Sequence, residues 1–314
     1  MARSTTSLEV VATGVPRPLQ LAMDGHALVI LSPGWRGDSA GEIYRVDLSG
    51  DRPVDLTREP RVRIPFADAR MATLGSLTLD PATRQLFLGE ENGTRIYRLS
   101  AEERLTLYAR GLHRLAGGST LAFDSAGRLV VVDNVDPVTP GEERAPPEFE
   151  PLGDEDYRGP LVLRLALDPD IPLPRRLDRL PPLFPRAWGG KKGGGLLPRL
   201  IAVAASRTGE LTFLSSAGEV LRLTADGSLA SLAHLPRGQG MYNRINMVAA
   251  PDGDVFVSGG FHVARIFRIS AQGAVATVAS NLADPEGIAL DGEGRLYVAE
   301  SSLHRIVRFT PGDM

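Results

Sequence analysis

One glutamate and two histidines stand beside short apolar runs in the C-terminal part of the chain. Glu286 lies in a Pro-Glu-Gly segment, His304 follows the run "LYVAE", and His262 follows the run "VFVSG". A carboxylate can take a proton from water, and imidazole exchanges protons near neutral pH. We therefore take Glu286, His304 and His262 as candidate catalytic residues. The alternatives are a carboxylate at a channel mouth, paired with Arg244, and two solvated surface histidines.

A repeated strand pattern determines where these residues lie. Its copies are "EIYRVD" from Glu42, "RIYRLS" from Arg95, "LVLRLA" from Leu161, "EVLRLT" from Glu219, "RIFRIS" from Arg265 and "RIVRFT" from Arg305. Each copy alternates apolar and polar residues, as a strand packed on one side does. Two further apolar runs precede each copy and a fourth follows most, joined by turns rich in Asp, Gly, Pro and Ser. A β-sandwich with a second domain would not explain six copies.

The repeats predict an all-β, six-bladed β-propeller that forms a single domain over residues 1–314. The last copy lacks a fourth strand, because the chain ends directly after its third. The segment from Val10 aligns without a gap with the segment from Thr277, which leads into the last copy. We therefore predict that the N-terminal strand is the outer strand of the last blade and closes the ring.

The propeller geometry gathers the polar candidates on one face. Each inner strand begins on the face that carries the loops between second and third strands, which we call the upper face. The residues predicted near the central mouth of that face, as substrate-binding or metal-binding groups, are Gln20, Ser119, Thr120, Asn243, Arg244, Asn246 and Glu286. Trp35, His262 and His304 are predicted on its rim, with Trp35 as a further substrate-binding residue.

Two long insertions interrupt the repeats at about 134–160 and 168–199. The first is acidic and the second is basic, so attraction between them would lower the cost of ordering both. We predict that they form a lid over the central mouth. The alternative is two loops that are solvated independently, because exposed ion pairs contribute little.

Composition narrows the class of partner. The chain has 35 basic and 38 acidic side chains, and this balance excludes the strong positive field of a nucleic-acid-binding protein. No cysteine is present, so disulfides and thiolate metal sites are excluded. No apolar run has the length of a membrane span or a secretory leader, which predicts a cytoplasmic protein without a membrane partner. We expect a small-molecule substrate and no organic cofactor.

The segment "PEGIALDGEGRLYVAES", with "RIVRF" behind it, resembles an NHL-repeat blade. The whole chain resembles the six-bladed superfamily that includes the senescence marker protein and gluconolactonase family and the strictosidine synthase-like proteins. In gluconolactonase-like enzymes a divalent cation at the central mouth polarises a lactone carbonyl. The resemblance implies Glu286 and Asn246 as ligands of Ca²⁺, Mg²⁺ or Mn²⁺. Leu19 stands where that family has a first-blade glutamate.

The function that these features predict is a small-molecule-binding propeller enzyme, a lactonase-like hydrolase that acts at the central mouth with a divalent metal. Two alternatives remain open. One is a non-catalytic NHL-like scaffold that binds another protein through its upper face. The other is a strictosidine synthase-like condensation enzyme, for which Glu286 would supply the general base.

Overall fold

The computed structural model describes residues 8–50, 53–134, 161–181, 183, 200–225, 227–236, 244–259 and 263–309. In chain order the first strands are β1 (Glu9–Thr13), β2 (Gln20–Asp24), β3 (Ala27–Ser32), β4 (Gly41–Asp47), β5 (Val54–Asp55), β6 (Arg61–Ile64), β7 (Leu74–Leu79), β8 (Leu86–Glu90), β9 (Arg95–Leu99), β10 (Leu105–Arg110), β11 (Leu121–Phe123), β12 (Leu129–Asp133) and β13 (Leu161–Leu165). They are followed by β14 (Arg175–Arg176), β15 (Leu200–Ala205), β16 (Leu211–Ser215), β17 (Glu219–Leu223), β18 (Leu229–His234), β19 (Met247–Ala249), β20 (Val255–Ser258), β21 (Arg265–Ile269), β22 (Val275–Ser280), β23 (Pro285–Leu290), β24 (Leu296–Glu300) and β25 (Arg305–Phe309). Short 3-10 helices cover Leu177–Arg179 and Ser301–Leu303.

These strands form the predicted ring of blades. Within the described residues there are six sheets, which begin at the inner strands β2, β7, β11, β15, β19 and β23. Each inner strand pairs antiparallel with the next strand in sequence, and neighbouring inner strands contact one another around a central channel. The six-bladed all-β fold is therefore confirmed. We number the blades 1 to 6 in the order of these inner strands.

The core lies between neighbouring blades. Tyr297 and Ile306 of blade 6 pack with Leu28 and Tyr44 of blade 1, and all four are almost fully buried. This arrangement follows from the period-two pattern, because alternate side chains of a strand enter the space on either side of its blade. Polar residues at the remaining positions connect strands of one blade. In blade 3, for example, Arg164 of β13 forms an ion pair with Asp124, which follows the inner strand β11.

The N-terminal strand closes the ring. β1 pairs antiparallel with β25, with Glu9 opposite Arg308 and Thr13 opposite Arg305. The two carboxylate oxygens of Glu9 accept hydrogen bonds from the Arg308 guanidinium at 2.7 to 2.9 Å. β5 then adds a fifth, parallel strand outside β1. The first described residues and the last thus share one blade, as the gapless alignment predicts.

The described part of the second insertion begins beside blade 2. β14 pairs in parallel with β10, the outer strand of blade 2, so that Arg175 lies opposite Ala109. Arg176 forms an ion pair with Asp178 two residues later. Residues 168–181 therefore pack along the outside of the ring. Residues 135–160 and 184–199, which make up most of the predicted lid, lie outside the described residues.

Within the part of the chain that the structure describes, no helix has the length and apolar character needed to cross a membrane.

Candidate functional site

A short segment before the inner strand of blade 3 crosses the central mouth. The Gly118 amide donates to the Gly75 carbonyl of blade 2 at 3.0 Å, and the Ser119 amide donates to the Ile245 carbonyl of blade 5 at 3.1 Å. The Val203 amide of blade 4 donates to the Ser119 carbonyl at 2.7 Å. Blades 2 and 5 face each other across a ring of six. The segment therefore spans the opening, and we call residues 116–120 the crossing segment.

Glycine is required where the crossing segment passes closest to blade 5. Gly118 has a φ of +105°, and a Cβ atom there would lie 2.1 Å from the Ile245 carbonyl oxygen. An L-residue would meet both the strained backbone region and a backbone clash. Gly118 thus permits the close approach on which the hydrogen bonds across the mouth depend.

Arg244 makes a second connection across the upper face. Its Nε donates to Glu91 Oε1 at 2.7 Å and its Nη2 donates to Glu91 Oε2 at 3.0 Å, a bidentate pair between blades 5 and 2. Its Nη1 lies 3.7 Å from Glu286 Oε1 on blade 6. The three charged groups form one cluster, and the predicted proximity of Arg244 to Glu286 is observed. The sequence predicted Glu91 on the rim of the upper face but indicated no partner for it.

Glu286 is the buried member of this cluster. Its side chain is 0% exposed, whereas those of Arg244 and Glu91 are 21% and 13% exposed. Neither carboxylate oxygen makes a hydrogen bond of good geometry. Burial raises the pKa of Glu286 to about 7, against the opposing effects of Arg244, the Ser301 hydroxyl and Arg17. Glu286 can therefore gain or lose a proton at neutral pH.

The local backbone holds Glu286 in place. A β-bulge interrupts the pairing of β23 with β24 between Pro285 and Ile288. A Cβ atom on Gly287 would lie 2.8 Å from the Cα atom of Gln20, so blades 6 and 1 approach each other too closely there for any other residue. The glycine that follows Glu286 is thus a packing requirement, and it limits how far the Glu286 backbone can move.

Left-handed backbone conformations gather around Glu286. Arg17, Asp284, Arg244 and His304 have φ angles of +44°, +48°, +54° and +54°. Asp284 lies two residues before Glu286, and His304 follows the turn that carries Ser301. The charges of Arg17 and Arg244 both lower the pKa of Glu286. Such conformations cost free energy for residues other than glycine and cluster at functional sites.

Three of the predicted mouth residues connect blades to one another. The Ser119 hydroxyl donates to Asn246 Oδ1 at 3.1 Å, and the Met247 amide donates to the Ser119 hydroxyl at 3.0 Å. The Thr120 and Ser76 hydroxyls lie 2.6 Å apart. Asn246 and Thr120 are buried, whereas Ser119 is partly exposed toward the channel. These polar groups hold the crossing segment against blades 2 and 5.

Gln20 belongs to the channel below the crossing segment. A cavity of about 740 Å³ is lined by all six inner strands, from Gln20 and Ser119 at its upper end to Asp124 and Arg207 at the opposite face. Glu286 and Arg244 do not line it. The crossing segment therefore separates the channel from the charged cluster, and Gln20 lies on the channel side.

Trp35 and His304 meet on the rim between blades 1 and 6. Their ring centroids are 4.7 Å apart and the rings are tilted by 59°. His304 Nδ1 accepts a hydrogen bond from the Arg17 amide at 3.0 Å. His262 and Asn243, the other predicted site residues, lie outside the described residues.

A histidine that sequence reasoning missed lies between blades 2 and 3. His113 Nδ1 is 2.8 Å from Asp133 Oδ2, and the carboxylate of Asp133 also accepts the amides of His113 and Arg114. Glu90 and Glu300 hold the equivalent position at the end of the second strand in their blades, and each accepts an amide of the preceding connection. This repeated acidic position is the signal that could have identified the pairing.

Few side chains near the central mouth could serve as ligands of a divalent cation. Ca²⁺ and Mg²⁺ take six or more oxygen ligands, usually with several carboxylates. Glu286 already lies beside the Arg244 guanidinium, and the amide oxygen of Asn246 accepts the Ser119 hydroxyl. The described residues contain no cluster of three or more acidic or histidine side chains with metal-binding geometry. These side chains do not provide enough free oxygen ligands for a divalent ion. The bound metal stays a prediction, and the available ligands do not support it.

Comparison with known proteins agrees with this architecture. The NHL repeat family model matches residues 282–309, which lie in blade 6. No curated protein matches the chain. Among solved structures, a gluconolactonase from Xanthomonas campestris is 15% identical over 98% of this chain and 90% of its own, with a TM-score of 0.60. Virginiamycin B lyase from Staphylococcus aureus is 14% identical over 99% of this chain and 87% of its own, with a TM-score of 0.57.

Identities this low establish a shared fold and leave the chemistry to the residues of the site. The resemblance drawn from the sequence is confirmed at that level, since both the repeat match and the gluconolactonase structure agree with it. The chain is a six-bladed β-propeller, and residues 282–309 of its last blade match the NHL repeat.

Proposed function

We propose that this protein is a small-molecule-binding enzyme that hydrolyses a lactone or another ester at the upper face, with Glu286 as the general base. One observation carries the proposal. Glu286 is fully buried beside Arg244, with two oxygens that lack good hydrogen bonds and a pKa raised to about 7. A buried acid with a pKa near the working pH is a frequent property of catalytic groups. The gluconolactonase with the same fold supports the ester class.

The reaction follows from the acid–base property of Glu286. The ionised carboxylate takes a proton from a water molecule while the water oxygen forms a bond to the carbonyl carbon. The carbon–oxygen bond of the ester then breaks, and the departing oxygen takes the proton back from Glu286. The products are a carboxylic acid and an alcohol, which are joined in one molecule when the substrate is a lactone. Glu286 ends the cycle ionised.

Two arginines supply positive charge for this reaction. Arg244 is held by its bidentate pair with Glu91, so its guanidinium stays beside Glu286, where it can donate a hydrogen bond to a water molecule that also contacts the carboxylate. Arg17 is exposed, acts on the charge of Glu286 and makes no ion pair with the described carboxylates at contact distance. Cations placed in advance near a developing oxyanion lower the barrier to acyl transfer. We assign that role to Arg17 and the orientation of the water to Arg244.

The test is hydrolysis of a lactone and ester panel by the protein and by Glu286→Gln. The glutamine keeps the size of the side chain but cannot accept the proton, so kcat should fall at least about 100-fold. In the parent protein kcat should rise with pH through about 7, because only ionised Glu286 acts as a base. Glu102→Gln, which alters an exposed carboxylate on a distant hairpin, is the matched control and should leave kcat unchanged.

Three results would count against the proposal. Full activity of Glu286→Gln would remove the general base. Loss of activity after chelation, with recovery on adding Ca²⁺ or Mn²⁺, would restore the metal-dependent prediction in its place. A blank panel together with a stable protein partner in a pull-down experiment would favour the scaffold alternative.

A further inference from the structure

We propose that Trp35 and His304 form an aromatic platform that selects substrates carrying a flat aromatic ring. The inference rests on the function proposed above and names the substrate class for the same face. Trp35 is 60% exposed, the most exposed of the large apolar side chains in the described residues. Tryptophan buries more apolar area than any other side chain when a ligand covers it. An indole left open on the upper face is therefore well placed to bind a ring.

His304 fixes the position of Trp35. Its ring lies 4.7 Å from the indole, centroid to centroid, at a tilt of 59°. The backbone of His304 is left-handed, and its carbonyl accepts the Val15 amide at 3.2 Å. Because Nδ1 accepts the Arg17 amide, the neutral ring carries its proton on Nε2. His304 thus contacts the indole from one side and is itself held by two backbone hydrogen bonds.

The platform lies beside the proposed base. His304 follows the turn Ser301–Leu303, and the Ser301 amide donates to the carbonyl of Asp284, two residues before Glu286, at 3.1 Å. Arg17 connects the two, since its amide binds His304 and its guanidinium also acts on Glu286. Gly287, next to Glu286, packs against Leu19 and Gln20 of blade 1, so a substrate that stacks on Trp35 would lie at the same boundary between blades 6 and 1 as Glu286.

The chemistry of the platform defines the ligand. An indole face stacks on planar apolar surfaces, whereas a flexible aliphatic ring offers less contact and no ring quadrupole. The neighbouring exposed Arg17 favours a neutral substrate or one whose product is a carboxylate, and it disfavours a cation. An aryl ester or a lactone fused to a benzene ring meets both conditions.

Two lactones separate recognition of the ring from the chemical step. Dihydrocoumarin and δ-valerolactone contain the same lactone ring, with and without a fused benzene ring. Trp35→Ala should raise KM for dihydrocoumarin about tenfold at unchanged kcat and leave both constants for δ-valerolactone unaltered. Phe66→Ala, which removes another exposed aromatic side chain of the upper face, is the control and should change neither substrate. Equal effects of Trp35→Ala on the two lactones would overturn the proposal.

Fluorescence gives a measurement that does not depend on turnover. The chain has two tryptophans, so Trp188→Phe leaves Trp35 as the only one. In that variant, combined with Glu286→Gln, dihydrocoumarin should change the Trp35 emission saturably and δ-valerolactone should not. Absence of a saturable change would overturn the platform. Full turnover by Glu286→Gln would instead overturn the proposed base, so the two failures are distinguishable.

His304 is a positioning residue in this proposal, in contrast to its predicted role as a proton carrier. His304→Ala should raise KM for dihydrocoumarin and shift the emission spectrum of Trp35, because the indole loses its contact. The dependence of kcat on pH should stay that of the parent protein. A loss of kcat on both lactones at unchanged KM would make His304 a catalytic group and would contradict the positioning role.

Discussion

Glu286 shows how the surroundings of one carboxylate set its chemistry. In water a glutamate is ionised at neutral pH, but burial removes the hydration that stabilises the charge. Arg244 compensates only in part, because it is also paired with Glu91 and its Nη1 lies 3.7 Å from Glu286 Oε1. The pKa of Glu286 consequently rises from 4.5 to about 7. The same feature that suits Glu286 to catalysis should weaken the fold.

Glu286→Gln should therefore stabilise the protein above neutral pH. The folded-state pKa of Glu286, about 7, exceeds its ordinary value of 4.5, so the folded protein binds the proton more tightly than the unfolded chain. The favourable contribution is complete below pH 4.5 and is lost as pH rises to about 7. Relative to its value in acid, the stability difference in favour of the glutamine variant should grow by up to about 3 kcal/mol at pH 8.

Denaturant unfolding at pH 5 and pH 8 measures this difference. The unfolding free energies of the parent protein and Glu286→Gln should diverge between the two pH values, with Glu102→Gln as the control. A gap that does not change with pH would show that Glu286 is not buried with a raised pKa.

The sequence predicted site residues that stand at a fixed place in the repeat. It did not predict residues whose role depends on a partner far away in the chain. Glu286 was recognised because it begins an inner strand. Its pairing with Arg244 was one of the alternatives, but the Glu91–Arg244 pair was missed, since the two residues are separated by 153 positions and nothing in either segment indicates the other. A pair of this kind leaves no periodic signal in a sequence. His113 was missed although its partner Asp133 occupies an acidic position that recurs as Glu90 and Glu300 at the ends of second strands.

At the scale of elements, the attachment of β1 to blade 6 depends on a few buried side chains. Val11 is 8% exposed and packs in the cluster that contains Tyr297 and Ile306. Val11→Ala should lower the unfolding free energy by about 2 kcal/mol, because it leaves a cavity between blades 6 and 1. Glu9→Gln should cost less than about 0.5 kcal/mol, since the Glu9 side chain is 54% exposed. Equal, small effects of both substitutions in thermal unfolding would show that β1 is not part of blade 6.

The strands that carry the repeat were predicted, whereas the shortest strands were not. Alternating apolar residues identify a strand that packs on a neighbouring blade, and the inner three strands of the blades have that pattern. β5 and β14 contain two residues each and pair in parallel with an outer strand. Their conformation follows from the position of that outer edge and not from their own residues. For this reason the pairing of β14 with the outer strand of blade 2 was not predicted.

At the scale of the molecule, the crossing segment should contribute to the stability of the whole ring. Gly118→Ala places a Cβ atom 2.1 Å from the Ile245 carbonyl oxygen, at a φ of +105°. Gly127 also has a positive φ, +70°, but its Cβ would meet nothing within 4 Å. Gly127→Ala should cost about 1 kcal/mol from backbone strain alone, and Gly118→Ala at least about 3 kcal/mol.

Thermal unfolding of the two alanine variants gives the comparison. Equal losses of stability in the two variants would mean that the crossing segment is not in close contact with blade 5 at Gly118. The ring itself was predictable, because six copies of one pattern have few other ways to bury their apolar faces. The crossing segment was not, because its hydrogen bonds join four blades and each requires the others to be in place.

A hydrogen bond across the mouth also has a consequence for the order of assembly. In most repeat proteins each unit contacts only its neighbours, so folding can spread from one unit to the next. Here the Ser119 amide finds its partner only at Ile245, two blades later in the chain. During synthesis the start of blade 3 must therefore wait for blade 5 to emerge. The upper face, and with it the charged cluster, becomes complete only near the end of folding, so a partly folded chain would lack the site.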